Sequence, residues 1–132
     1  MAHPSRIHLP AASLLASSLL AASLAAQAEP SNKWRLEVDG DAASAGVIVL
    51  EVRPVGATPT RVDVPVANGV GENDIAQSIA SALQARLNTE SVTVEVDDGE
   101  DVLVKRPEGA ADFELAVVSS NVGGVELEVD RE

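Results

Sequence analysis

Apolar and polar residues alternate with a period of two along most of the chain after residue 33. This pattern predicts β-strands with one buried face. Short segments rich in Gly, Asp, Asn and Pro separate the alternating runs, and these residue types favour turns. The predicted strands are residues 34–38, 47–52, 61–66, 92–96, 101–105, 113–118 and 125–129.

One segment follows a different period. Its apolar residues recur at spacings of three and four, which is typical of an amphipathic helix packed on a core. The stripe consists of Ile75, Ile79, Ala82, Leu83 and Leu87. The sequence therefore predicts a helix over about 73–87, with Asn73 as its N-cap and Asn88 ending it in a left-handed conformation.

The order of predicted elements is three strands, one helix and four strands. We expect an α+β domain with a mostly antiparallel sheet of about six to seven strands and the helix packed on one face. Residues 47–52 and 61–66 are predicted to form a hairpin, and so are 92–96 and 101–105, joined through Asp98-Gly99. The first and last strands are predicted to lie at sheet edges, where an uncovered edge recruits another chain.

A longer pattern runs through the helix and the strands after it. It consists of Asp74-Ile75-Ala76, Ile79-Ala80, Ala82-Leu83, Asp98-Gly99, Gly109 and Phe113-Glu114-Leu115. With these residues, the stretch 47–129 resembles the small β-β-α-β-β-β unit of bacteriophage tail and baseplate proteins and related contractile assemblies. The resemblance implies the α+β fold and a structural or docking role. It implies no particular catalytic or binding residue.

The first residues have the features of an export signal. Arg6 precedes a charge-free run of Leu, Ala and Ser over 9–26, which closes on Ala26-Gln27-Ala28. A small-x-small triplet is what signal peptidase recognises, so we predict that residues 1–28 are a signal peptide cleaved after Ala28. Residues 29–32 then form a short linker, and 33–132 form a single acidic domain in the periplasm or outside the cell.

An uncleaved membrane anchor is the alternative, because the apolar run of about 18 residues approaches the length that spans a bilayer. Four serines dilute the run, and no cluster of basic residues follows it. Both features favour cleavage, after which we expect no membrane association. The chain has no cysteine, so it has no site for a lipid anchor.

The composition after the predicted cut excludes several functions. Eight basic and 21 acidic residues remain, a net charge of −13, and so negative a surface repels nucleic acids and anionic lipids. His3 and His8 both precede the cut, and the chain has no Cys or Tyr. Histidine- or cysteine-based nucleophilic catalysis and the usual zinc or haem ligands are therefore excluded. We expect no enzyme activity and no cofactor.

Acidic turns are the candidate chemical sites. Calcium takes six to eight oxygen ligands, and carboxylates gathered on a turn supply several of them. The candidate metal ligands are Asp97, Asp98, Glu100 and Asp101. Ordinary turns are the alternative, because Asp and Gly favour turns for conformational reasons alone.

A hydrolase built on two carboxylates is a third hypothesis. Sugar-binding sites use aromatic surfaces, whereas the chain offers only Trp34 and Phe113, whose alternating surroundings predict packing positions. Four arginines on predicted strand and helix faces are interpreted as solvated surface charge. They are Arg35, Arg53, Arg61 and Arg86.

Together these features predict an exported, non-enzymatic binding or structural domain that associates with a protein partner or with itself. The alternative is a periplasmic protein that binds a divalent cation or a small ligand through its acidic turns. The first hypothesis needs an exposed recognition surface, and the second needs several carboxylates at one point.

The export signal has a direct test. Expression of the full chain in a bacterial host is expected to yield a protein whose N-terminal residue is Glu29, read by N-terminal sequencing and intact mass. Ala28→Asp is expected to block this cut, because signal peptidase accepts only small side chains there. A full-length product in the unaltered chain would contradict cleavage and favour the anchor.

Overall fold

A computed structural model describes residues 29–132, and the predicted signal peptide lies outside them. The elements are β1 (Lys33–Asp39), β2 (Gly46–Pro54), β3 (Thr60–Val66), α1 (Glu72–Arg86), β4 (Thr93–Asp97), β5 (Asp101–Lys105), β6 (Phe113–Ser120) and β7 (Glu126–Arg131). The α+β class and the order of elements predicted from the sequence are confirmed. The described residues contain no helix of the length and apolarity needed to cross a bilayer.

The strands form two sheets, where the sequence predicted one. The four-stranded sheet has the order β4-β5-β1-β7, and the three-stranded sheet has the order β3-β2-β6. All pairings between neighbouring strands are antiparallel. Alternation along a strand reports that one face is buried, but it does not report which strands share a sheet, so this division was not predictable.

Both predicted hairpins are present. β2 pairs with β3, and β4 pairs with β5 around Asp98 and Gly99. These two residues have φ of 51° and 80°. Because Asp97 pairs with Asp101, the turn also contains Glu100, and left-handed backbone at Asp98 and Gly99 reverses the chain direction.

The core lies between the two sheets and the inner side of α1. Trp34 of β1 and Phe113 of β6 belong to it and are 3% and 0% exposed, so both predicted packing positions are confirmed. The carbonyl oxygen of Phe113 accepts hydrogen bonds from Trp34 Nε1 at 2.8 Å and from the Ser31 N–H at 2.9 Å. The segment before β1, predicted as a linker, thus pairs with the start of β6 and ties the sheets together.

The helix closes one side of the molecule. It contacts β3 and β4, which are the end strands of different sheets. Gln84 Nε2 donates to the Val94 carbonyl of β4 at 2.9 Å, and Arg86 Nη2 donates to the Arg61 carbonyl of β3 at 3.2 Å. Side chains of α1 therefore bind the backbone of both edge strands.

The other two edge strands are β6 and β7, which contact each other without pairing. The prediction of an edge is confirmed for β7 and wrong for β1, which lies between β5 and β7. An N-terminal strand gives no sequence signal of its position in a sheet, because that position depends on pairing with β5, about 70 residues later in the chain.

The predicted N-cap of the helix is wrong. Gly71 occupies the cap position and provides no side chain. Asp41, from the loop after β1, accepts the Glu72 N–H through Oδ1 at 3.1 Å, and Glu72 Oε2 in turn accepts the Gly40 N–H at 2.8 Å. The helix start is therefore capped by a residue distant in sequence.

The predicted left-handed helix end is also wrong. The last helical hydrogen bond runs from Leu87 N–H to Leu83 O, and Leu87 itself is extended. Asp98 is the one non-glycine residue with positive φ among residues 29–132. Asn88 instead forms a turn, in which its side-chain oxygen accepts the Glu90 N–H at 2.9 Å.

The position of the cap generates a stability prediction. Asp41→Ala is expected to lower the free energy of unfolding by about 0.5–2 kcal/mol, the usual cost of losing a helix cap. Asn73→Ala is expected to change it by less than about 0.5 kcal/mol, as for most exposed positions. Urea denaturation followed by circular dichroism measures both. An equal or larger loss in Asn73→Ala would contradict the assignment.

Candidate functional site

The outward side of the four-stranded sheet concentrates the negative charge of the protein. Strand registers place eight carboxylates and three basic side chains there, a net charge of −5. We call this surface the acidic face. Its charged residues are Lys33, Arg35, Glu37, Asp39, Glu95, Asp97, Asp101, Lys105, Glu126, Glu128 and Asp130.

One row of the acidic face carries a carboxylate on every strand. Glu128 lies opposite Glu37, which lies opposite Asp101, and Asp101 lies opposite Asp97. Like charges directly opposite each other on neighbouring strands destabilise a sheet. The row is therefore unfavourable for the isolated fold, although it suits the recognition of positive charge.

The protonation of Glu37 reflects this crowding. Partial loss of hydration raises the pKa of Glu37, and the negative charges of Asp101 and Glu128 raise it further. Both effects disfavour the ionised carboxylate. A positive group placed against the row would lower the pKa of Glu37 and favour its ionised form.

Arg35 is the basic side chain nearest to this row. Its Nη1 donates to Asp101 Oδ2 and lies 3.7 Å from Asp97 Oδ2, while its Nε donates to Glu132 Oε1 at 2.9 Å. The hydrogen bonds to Glu132 and Asp101 raise the pKa of Arg35. Arg35 lies on the surface, as the sequence predicted, but its side chain is only 26% exposed and is paired with three carboxylates, which the sequence did not predict.

The four candidate metal ligands lie at the β4–β5 hairpin, but they differ in exposure and in their bonding partners. Asp101 is 8% exposed and is bound by Arg35. Asp98 is exposed in the turn, and Glu100, two residues later, is partly exposed. Within residues 29–132, no three acidic side chains are grouped closely enough to hold a metal ion. Asp97 and Asp101 share the acidic face, whereas Asp98 belongs to the turn.

The outward side of the three-stranded sheet differs in charge. We call it the balanced face. The registers place there Val47, Val49, Glu51, Arg53, Arg61, Asp63, Pro65, Glu114, Ala116 and Ser119. Three carboxylates and two arginines give this face a net charge of only −1.

On the balanced face, opposite charges lie in register. Glu51 lies opposite Arg61, and Arg53 lies opposite Glu114. Arg53 also pairs with Glu51 on its own strand. Cross-strand pairs of opposite charge stabilise a sheet, and the balanced face has no row of like charges such as the one that crosses the acidic face.

An open groove beside the balanced face contains one further carboxylate, Glu29. It has a volume of about 720 Å³ and is lined by Glu29, Pro30, Arg53, Pro54, Val55, Gly56, Ala57, Thr58, Pro59 and Glu114. The lining offers loop backbone, prolines and one arginine that already pairs with Glu51.

Sequence reasoning identified the acidic turn but missed the acidic face. Alternation already indicated that Glu126, Glu128 and Asp130 share one side of a strand, as do Glu37 and Asp39. Their union in one surface depends on β1 pairing with both β5 and β7. Pairing between strands so distant in sequence is not encoded in local patterns.

Comparison with known proteins does not assign a family. No protein-family model matches the chain. No curated protein matches it significantly. The resemblance to phage tail and baseplate units therefore stays a prediction.

The charge row generates a pH-dependent prediction. Because the pKa of Glu37 is raised on folding, the folded state binds more protons than the unfolded state between the ordinary value of 4.5 and the raised value. Stability therefore falls as pH rises through this window. Glu37→Gln is expected to raise Tm at pH 7, and the difference is expected to vanish below pH 4.5.

Glu95→Gln is the matched control with the opposite sign. Lys105 Nζ lies 2.8 Å from Glu95 Oε1, and this hydrogen bond lowers the pKa of Glu95. The stability it contributes is present above the ordinary pKa and is lost as pH falls through the lowered one. Glu95→Gln is therefore expected to lower Tm at pH 7. Calorimetry at several pH values measures both variants, and a lower Tm for Glu37→Gln at pH 7 would contradict the repulsive row.

Proposed function

We propose that this protein is an exported, non-enzymatic binding domain that recognises a positively charged protein surface through its acidic face. The observation that carries the proposal is the row of four carboxylates in register across β7, β1, β5 and β4. Such a row costs stability in the free protein. A basic partner relieves the repulsion and gains from electrostatic complementarity, which accelerates association and selects partners.

The position of the row supports a docking role. Glu37, Glu126 and Glu128 are exposed, and they are attached to strands of a rigid sheet. A recognition surface built on strands keeps its geometry without ordering a loop, which lowers the entropic cost of binding. The resemblance to structural units of phage tails favours the same kind of role.

The proposal also includes export of the domain and a role without catalysis. The predicted signal peptide places the domain in the periplasm or outside the cell. There, the net charge of −13 on the mature chain favours solubility, and the chain needs no disulfide bonds. In this proposal the carboxylates of the acidic face serve recognition and not catalysis.

A short oligolysine peptide is the probe that tests recognition of positive charge. Binding is measured by isothermal titration calorimetry at low and high salt, on the protein recovered after export. Affinity is expected to fall as salt rises, because screening weakens exposed charge pairs. The variant Glu126→Gln/Glu128→Gln is expected to lose roughly two- to fivefold in affinity for each carboxylate removed.

The matched control removes the same charge from the other sheet. Glu51→Gln/Asp63→Asn is expected to retain the affinity of the unaltered protein, because both residues lie on the balanced face. An equal loss in the two double variants would show a general effect of net charge and overturn the acidic face as the site. Absence of oligolysine binding at low salt would overturn the proposal itself.

The alternative, divalent-cation binding, is tested on the same purified protein. If calcium bound at the hairpin of β4 and β5, it would raise Tm, because a ligand that binds only the native state stabilises it. A calcium-dependent rise in Tm that Asp98→Asn abolishes would assign the hairpin to cation binding. The acidic-face proposal expects no such dependence on Asp98.

A further inference from the structure

In residues 29–132, an aspartate or asparagine is directly followed by glycine at three positions. These pairs are Asp39-Gly40, Asn68-Gly69 and Asp98-Gly99. In such a pair the glycine amide nitrogen is able to attack the Cγ atom of the preceding side chain, because glycine has no side chain that obstructs the approach. The attack closes a five-membered succinimide ring, so each pair is a candidate site of spontaneous backbone rearrangement.

The rearrangement of an aspartate-glycine pair needs only water. A bond forms between the glycine nitrogen and the aspartate Cγ, the nitrogen gives up its proton, and the carboxyl group gives up one oxygen, so a molecule of water leaves. Hydrolysis then adds water at either carbonyl of the ring. Opening on one side restores aspartate. Opening on the other side gives isoaspartate, in which the main chain runs through the side-chain carbons and is one methylene longer.

The Asn68-Gly69 pair has the more reactive side chain, because a neutral amide releases ammonia more readily than an ionised carboxylate releases water. A neighbouring loop holds this pair in place. The Gly69 N–H donates to the Ala42 carbonyl at 2.8 Å, and the Ala42 N–H donates to the Val70 carbonyl at 2.8 Å. The nitrogen that would attack is therefore engaged, and it reacts only after the two loops have opened locally.

The Asp39-Gly40 pair is also restrained. Asp39 is the last residue of β1 and pairs with Glu126 of β7, so its backbone is kept extended. The Gly40 N–H donates to Glu72 Oε2 at 2.8 Å. Gly40 also packs so closely against the Gly124 carbonyl that no side chain would fit there. Ring closure would require this junction to come apart first.

The Asp98-Gly99 pair lies in the turn between β4 and β5 and lacks both kinds of restraint. Neither residue belongs to a strand, and the Asp98 side chain is exposed to water. Among the hydrogen bonds of residues 29–132, none is donated by the Gly99 N–H. The nitrogen of this pair therefore has no bond to break before it attacks.

We infer that Asp98 is a site of spontaneous modification, at which ring closure with Gly99 converts aspartate to isoaspartate in the folded protein. This inference goes beyond the proposed function, because the reaction requires no partner. Asp97 and Asp101 flank the turn, pair across the hairpin and belong to the carboxylate row. The added methylene lengthens the turn between them, so ageing of the protein alters one end of the acidic face.

Ageing of the protein recovered after export tests the inference. Samples are kept for several weeks at neutral pH, either folded in buffer or unfolded in guanidinium chloride, and isoaspartate is measured in each peptide by mass spectrometry. The rate in the unfolded chain divided by the rate in the folded protein gives the protection of each pair. Protection is expected to be at least about fivefold smaller at Asp98 than at Asp39 and Asn68, the factor that one hydrogen bond of ordinary net strength provides.

Two variants at the same position test the chemistry of the reaction. Asp98→Glu keeps the charge, but its side chain is one methylene too long for a five-membered ring, so formation of isoaspartate at the turn is expected to be lost. Asp98→Asn keeps the size and tolerates left-handed backbone. Its neutral amide is expected to react faster than the carboxylate and to release ammonia, which the intact mass records. Circular dichroism checks that both variants fold.

Two results would overturn the inference. One is a folded protein in which Asp98 is protected as strongly as Asp39 and Asn68. The other is a folded Asp98→Asn variant that releases ammonia no faster than the unaltered protein. Neither result depends on the binding of oligolysine, so this inference and the proposed function fail separately.

Discussion

The fold depends on the hydrogen bonds that meet at the carbonyl of Phe113. Trp34 Nε1 and the Ser31 N–H both donate to this oxygen, so the start of β1 is fixed to β6 of the other sheet. On the opposite side, α1 joins β3 to β4. Without cysteines, the two sheets are held by these two junctions and by the packing of the core between them, as expected for a domain of about a hundred residues.

The two outer surfaces have different consequences for stability. The acidic face places carboxylates opposite carboxylates, so it costs folding free energy, whereas the balanced face pairs Glu51 with Arg61 and Arg53 with Glu114. Arg35 limits the cost by binding Asp101 of the row and Glu132, the residue after β7. The charge pattern thus opposes stability on one face of the molecule and supports it on the other.

Local sequence patterns predicted the helix and strands, whereas pairing between residues distant in sequence determined how these elements are arranged. Period-two alternation predicted the seven strands, and apolar spacings of three and four predicted the helix, each within about two residues of the observed ends, because each element buries one side. The Asp98-Gly99 turn was predictable for a conformational reason. The two sheets, the interior position of β1, the cap from Asp41 and the environment of Arg35 all arise from contacts between residues at least 30 positions apart. The acidic turn was visible in the sequence, whereas the acidic face required the register of three strand pairs.

The contacts of Gln84 and Arg86 with the edge strands have a consequence for how the chain behaves at high concentration. Amyloid and other fibrous aggregates grow when a strand finds an open row of backbone donors and acceptors. Here a side chain of α1 binds one carbonyl on the edge of β3 and one on the edge of β4, β7 carries acidic side chains, and the pairing of β6 is irregular near Ser119. These features hinder the addition of a further strand at the edges, so they favour contacts with other molecules through side chains over contacts through the backbone.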